Sequence, residues 1–355
     1  MFDMYTSRYI VLFISTCILI YIFITVDVPL HDPIVVQMRG YPGKAPTMDF
    51  PFKNIKDEHN QNTNTVAIVA PFREKAHKET LRDLVSKGYR IIGMTSYLEF
   101  PGPVHNSHDP AAKEDMSWYI DKCKAWLYCG HTPTEVFGWS SIPRIQMAQS
   151  DFTNPDGVKP KGLKKKWDFI YICLDDNKET CPEGWNSVNR NWELAKRCFP
   201  IMCLEYGLKG LIVGRQGCKI DSKIEPYLDK KEFIPYYEFV DHLEMARFTF
   251  LPNIQDASPR ILTETLCKNN PVLVNRNIHG GWKYVTPYTG EFFTGPEDIR
   301  PSLDRLTKHY SEYTPRAYFK AHYGPLHAGP KLAHFLRQAD PLFTACKTAE
   351  PYCCK

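Results

Sequence analysis

Short apolar runs alternate with helical stretches from Thr65 to Asn275, and that alternation confines the chain to an α/β fold with parallel sheets. Thr65–Ala70 (TVAIVA) reads as a buried parallel strand ended by Pro71. Residues 77–87 place Leu81, Leu84 and Val85 at helical spacing, and Gly88 is a natural helix stop. Arg90–Met94 is the next strand, which completes a βαβ unit. Met116–Leu127 reads as helical, and Ile142–Ala148 as a further strand despite Pro143. A second series follows residues 154–166, which are rich in Pro, Gly and Lys. Its strands are Trp167–Cys173, Leu208–Val213 (closed by Gly214), Phe248–Leu251 and Pro271–Asn275. Its helices are Trp192–Glu205, Asp241–Ala246 and Pro259–Lys268.

The length of 355 residues suits one large or two ordinary domains. A formal charge of +4 gives no nucleic-acid footprint, so no nucleic-acid partner is expected. Lys161, Lys164, Lys165 and Lys166 form one basic cluster, read first as a solvated linker and second as an anion-binding patch. Twelve cysteines are scattered without a CxxC pair or zinc-ligand spacing. A tail disulfide from Cys346 to Cys353 or Cys354 and free thiols are both open readings. No Asn-x-Ser/Thr sequon occurs. Tyr9–Val26 carries no charge and, at about 1.5 Å per residue, just spans a bilayer core of about 30 Å. An uncleaved signal-anchor fits better than a cleaved signal peptide, because Thr25–Val28 offers a poor cleavage site. Arg8 before the span and Asp27 and Asp32 after it favour a cytosolic N-terminus.

The chemistry concentrates in Val240–Val274. There a helix, a strand, the loop Pro252–Pro259, a helix and a strand follow in order. The loop sits at the carboxyl end of a parallel strand, where ligands bind in open α/β sheets. The helix after it aims its N-terminus at the same place, and free N–H groups and the helix dipole suit a diphosphate. Asp256 lies in the loop and Glu264 on the helix, eight positions later. A helix carboxylate can accept hydrogen bonds from both hydroxyls of a ribose, and a loop carboxylate can hold a sugar hydroxyl. Two arginines, Arg190 before a helix and Arg215 after Gly214, are candidate phosphate ligands or plain surface arginines. The tandem glycines Gly280 and Gly281 allow close approach either to a ligand or within a structural turn carrying Trp282 and Tyr284.

The ordered set Pro252, Asp256, Glu264, Pro271 and Val272 resembles the donor-binding domain of GT-B glycosyltransferases, above all the retaining group called family four. That group carries Glu-x7-Glu followed by Ala-x-Gly-x-Pro-Val. Here Asp256 replaces the first glutamate, which shortens its reach. The match covers roughly residues 167–295. The resemblance implies two Rossmann-like domains behind a transmembrane helix, and a sugar moved from a nucleotide-sugar donor to a glycan, glycoprotein or glycolipid acceptor with retention. It places Glu264 on the donor ribose and Asp256 by the transferred sugar. Ser258, Arg260, Arg190, Arg215 and Gly214 complete the donor site, and His131 stands for the histidine that contacts the donor sugar.

The implied organisation is a cytosolic tail (1–8), a transmembrane signal-anchor (9–26), a stem (27–64) and an acceptor domain (65–153). A linker (154–166), a donor-binding domain (167–310) and a C-terminal helix with a cysteine-containing tail (311–355) follow. The stretch from about Arg316 to Leu336 would return to the first domain. No cofactor or metal is required, since arginines and dipoles can neutralise the diphosphate; Asp175-Asp176 is not an Asp-x-Asp site. Membrane association through the N-terminal helix implies a single-pass type II protein, in the Golgi or endoplasmic reticulum of a eukaryotic host. Alternatives are a non-catalytic sugar-binding protein of this fold and a nucleotide-sugar epimerase.

Overall fold

The computed structural model describes residues 48–70, 72, 75–95, 117–131, 141–175, 181, 184–343 and 349. The span expected at 9–26, the tail cysteines Cys346, Cys353 and Cys354, and Asp176 lie outside the described residues. Among the described residues no helix is long and apolar enough to cross a membrane.

Two sheets organise the chain. The first holds β1 (Phe52–Lys56), β2 (Asn62–Ile68), β3 (Arg90–Met94), β4 (Ala125–Tyr128) and β5 (Arg144–Gln146), side by side in that order. β1 runs antiparallel to β2, and the other neighbours are parallel. Helix α1 (Lys75–Ser86) connects β2 to β3. The second sheet holds β6 (Trp167–Ile172), β7 (Gly210–Val213), β8 (Leu228–Lys231), β9 (Ala246–Leu251), β10 (Val272–Asn275) and β11 (Gly290–Phe293). All its neighbours are parallel, in the order β8-β7-β6-β9-β10-β11. The chain builds outward from β6 in one direction, returns, and builds outward from β9 in the other. The carboxyl ends of β6 and β9 therefore diverge into a crevice. Helices α2 (Trp185–Asn189), α3 (Trp192–Phe199), α4 (Tyr236–Met245), α5 (Arg260–Cys267) and α6 (Ile299–Lys308) belong to this half.

Three expectations are corrected. Residues 52–64, read as stem, contain β1 and the start of β2. Polar residues hid them: Thr63, Asn64 and Thr65 are buried, with Thr63 Oγ1 donating to Ile55 O at 2.9 Å and Asn64 Nδ2 to Leu342 O at 2.8 Å. The helix expected at Met116–Leu127 is a 3₁₀ turn (Ser117–Lys122) followed by β4. Ala125, Trp126 and Leu127 are buried without interruption, and a short apolar run buried on both faces has no period to read. The helix expected at Trp192–Glu205 ends as an α-helix at Phe199 and continues through a π turn from Pro200 to Glu205. Pro200 lacks the N–H that an α-helix needs there.

The linker is solvent-exposed at Lys161, Lys164, Lys165 and Lys166, as read from the sequence, but it is also pinned. Glu244, at the end of α4, accepts from the backbone N–H of Lys161 and of Leu163 and pairs with Lys268 at 3.0 Å. Lys161 pairs with Asp241, and Lys165 Nζ donates to Glu244 O and Ala246 O. A disulfide that no cysteine spacing indicated joins Cys181 to Cys218, tying the loop after β6 to the loop after β7.

Helix α7 (Pro315–His322) breaks at Gly324, and α8 (Pro325–Ala339) then packs on the first sheet. Its Ala328, Leu332, Ala333 and Leu336 share a core with Ile55, Ala67, Ile92 and Leu127. Arg90 on β3 pairs with Asp340 just beyond it. Leu332 is fully buried, so Leu332→Ala should destabilise the protein by about 2–5 kcal/mol. A urea unfolding curve whose midpoint does not move would exclude α8 from the core of the first sheet.

Candidate donor and acceptor cleft

The crevice between β6 and β9 is furnished by two short connections. After β6 the chain reaches α2, and Arg190 caps its end. The turn is held from below: Tyr171 on β6 donates its hydroxyl to Arg190 O at 3.0 Å. Asn191, at a φ of 50°, caps α3 and donates from Nδ2 to Pro252 O at 3.1 Å. Arg190 is thereby presented to the loop after β9, where its guanidinium pairs with Asp256. Asn253 Nδ2 donates to the same carboxylate at 3.1 Å, and Ser258 N to its other oxygen at 3.2 Å. Asp256 thus has three donors on its two oxygens, whereas the remaining N–H groups of Arg190 find no protein acceptor among the described residues.

Glu264 is 7% exposed on α5. Tyr236, the first residue of α4, donates its hydroxyl to Glu264 at 3.2 Å. Burial raises the Glu264 carboxyl above the ordinary range, opposed by the nearby Arg260 charge and by the Tyr236 hydrogen bond. Burial and the Glu264 charge together raise the Tyr236 phenol, so it stays a donor. Arg260 opens α5, is exposed, and has no side-chain partner among the described residues.

The remaining expected site residues divide. Arg215 is 1% exposed, its Nε directed at Cys173 Sγ and its backbone N–H at Asp175. It braces the loops after β6 and β7 and is not a surface arginine. Gly214, at a φ of +91°, packs so closely that a Cβ would overlap the Cys173 carbonyl. Ser258 accepts from Ser150 N at 2.9 Å and so joins the two halves. Thr153 and Thr263 meet at 2.7 Å, and Lys283 pairs with Asp151 at 2.8 Å, across the same seam. His131 is exposed and stacks on Trp282 with ring centroids 4.4 Å apart, again across the seam. Gly280 is required by protein packing, since a Cβ there would strike the Ala257 backbone.

Between the carboxyl ends of the two sheets lies a cleft of about 180 Å³. Val69, Met94, Thr95 and Gln149 line it from the first half, and Trp185, Asn189, Asp256 and Ser258 from the second. Sequence reading missed Tyr236, Trp185 and Asn189. Tyr236 stands in an aromatic run that was visible, but its partner Glu264 is distant in the chain. Asn189 directly precedes Arg190, and nothing local distinguishes it from a loop asparagine.

Solved structures share this architecture. HepE of Anabaena, solved in complex with UDP, matches with a TM-score of 0.53 at 9% identity, over 77% of this chain and 78% of that one. A glycosyltransferase of Rickettsia africae matches with a TM-score of 0.50 at 11% identity, over 77% of this chain and 74% of that one. The fold is GT-B. TarM matches with a TM-score of 0.45 at 11% identity over 66% of this chain, which spans about half (48%) of TarM. No family model and no curated protein matches the sequence. In this GT-B frame the crevice with Arg190, Asp256 and Glu264 belongs to the second sheet, and the 180 Å³ cleft lies where the two halves face each other.

The raised Glu264 carboxyl predicts a pH signature. Its contribution to stability is fully present below the unfolded value near 4.5 and is lost as pH rises through the higher folded value. Relative to wild type, Glu264→Gln should therefore melt similarly below pH 4.5 and increasingly higher as pH rises above it. Thermal melts of both proteins at several pH values check this, and a difference that shrinks with rising pH would contradict the burial argument.

Proposed function

We propose that this protein is a glycosyltransferase moving a sugar from a nucleoside-diphosphate sugar to a hydroxyl of a glycan, glycoprotein or glycolipid. One observation carries the reading. At the switch point of a GT-B fold, Arg190 is held by Asp256 and keeps N–H donors that meet no protein acceptor among the described residues. Such a guanidinium is a preorganised receptor for a diphosphate. The exposed Arg260 and the first turn of α5 add positive potential on the same side. Glu264 supplies acceptors for a ribose diol, with Tyr236 fixing the carboxylate.

In the reaction the bond from the anomeric carbon to the phosphate oxygen breaks, and negative charge collects on the leaving diphosphate. Arg190 and the helix N–H groups stabilise that charge. A bond forms to the acceptor oxygen, whose proton is lost. The first half, from β1 at Phe52 to about residue 153, takes the acceptor and the second, about 167–310, the donor. Retention of configuration follows the family-four resemblance. No metal enters this reading, because the arginines carry the countercharge.

The uncharged run Tyr9–Val26 supports a type II signal-anchor, in the Golgi or endoplasmic reticulum of a eukaryotic host. The Cys181–Cys218 disulfide suits the oxidising side of such a membrane.

Nucleoside diphosphates and nucleotide sugars should raise the melting temperature of the full-length protein. A ligand at 100 times its Kd adds about 2.7 kcal/mol. Arg190→Ala should weaken nucleoside-diphosphate binding by about 1.5–3 kcal/mol, as expected for a hydrogen bond to a charged group. Release of free sugar from the donor without added acceptor reports activity. A folded protein that answers to no nucleotide would overturn the proposal.

A further inference from the structure

Asn189 is the last residue of α2, immediately before Arg190, and lines the 180 Å³ cleft beside Trp185 and Asp256. It is 7% exposed, and its Oδ1 is sealed from solvent with no hydrogen-bond partner. Its side-chain nitrogen also has no protein acceptor among the described residues. Asn253 shares an unmet buried Oδ1 but spends its Nδ2 on Asp256, and three other asparagines are fully used. Asn191 caps α3 and grips Pro252 O, Asn270 donates to Leu243 O and Ala246 O, and Asn275 accepts from Asn277 N. Each of those three amides fastens backbone to backbone, and Asn189 fastens nothing among the described residues.

A buried amide without a partner is unfavourable in the empty protein and becomes favourable when a ligand meets it. An amide can accept and donate at once, and so can a hydroxyl. The matching ligand is a small polyhydroxylated ring. Resting on the glycosyltransferase reading above, we infer that Asn189 is a specificity-determining residue that hydrogen-bonds a hydroxyl of the transferred sugar. Position selects the donor sugar over the acceptor. Arg190, the next residue, faces the leaving diphosphate, and the anomeric carbon is one bond from that group. The opposite wall, Val69, Met94 and Thr95, comes from the first half and is left for the acceptor.

The test compares full-length wild type with Asn189→Ala and Asn189→Leu by calorimetric titration. The probes are UDP and GDP, and UDP-glucose, UDP-galactose, UDP-N-acetylglucosamine and GDP-mannose. For the probe pair that wild type binds, both variants should keep the Kd for the nucleoside diphosphate within about twofold. They should lose about 10- to 100-fold in Kd for the nucleotide sugar, and donor kcat/KM should fall in parallel. Discrimination between sugars that differ at one hydroxyl should narrow. Without ligand, Asn189→Leu should melt no lower than wild type, because it removes an unmet polar group; a structural asparagine would behave in the opposite way. Unchanged sugar binding, an equal loss for both ligand classes, or a markedly lower melting temperature of unliganded Asn189→Leu would overturn the inference. Wild type that binds none of the probes would overturn the underlying reading, and the inference with it.

Discussion

The pairing of β6 with β9 is the constraint on which the rest of the second half depends. Trp167 lies opposite Ala246, Phe169 opposite Phe248 and Ile170 opposite Thr249, in parallel register. The connections leaving these two strands turn to opposite sides of the sheet, so their carboxyl ends cannot close over each other. Phe169, Tyr171, Phe199, Phe248 and Phe250 pack ring on ring beneath the opening. Rigidity under the crevice passes upward through single hydrogen bonds, from Tyr171 to Arg190 O and from Asn191 to Pro252 O. A guanidinium already paired with Asp256 thus hangs from a fixed backbone turn. Preorganisation of that kind lowers the entropy lost when a charged group is captured.

Charge is distributed unevenly over the crevice. Asp256 is satisfied from three directions, and Arg215 is enclosed with Asp175 and Cys173. Both therefore hold loops in place. Glu264 is the opposite case, a carboxylate kept from water with one phenol as its hydrogen-bond donor. Burial disfavours its ionised form.

Legibility followed the length and the isolation of each signal. The strands at 167–173, 248–251 and 271–275 were readable because central parallel strands are continuous apolar runs between turn residues. β1 was not, because it is an edge strand with only Phe52 and Ile55 turned inward. β4 was missed because three successive buried residues, Ala125, Trp126 and Leu127, carry no period. Within the site, a carboxylate in a strand-end loop and another on the next helix could be read from spacing, and Arg190 from its place before a helix. Arg215 could not be sorted from Arg190, since burial is a property of the packed loops. The Cys181–Cys218 bond joins positions 37 residues apart that only the neighbouring of β6 and β7 brings together.

Helix α8 gives the fold an asymmetry in time. The second sheet is contiguous, from Trp167 to Phe293, and can close as soon as that segment leaves the ribosome. The first sheet is synthesised earlier but lacks one covering layer until Ala328–Leu336 arrives. One face of the first-made half must therefore wait, apolar and unshielded, for α8. Biosynthetic quality control would meet this protein as a finished second half attached to an unfinished first half.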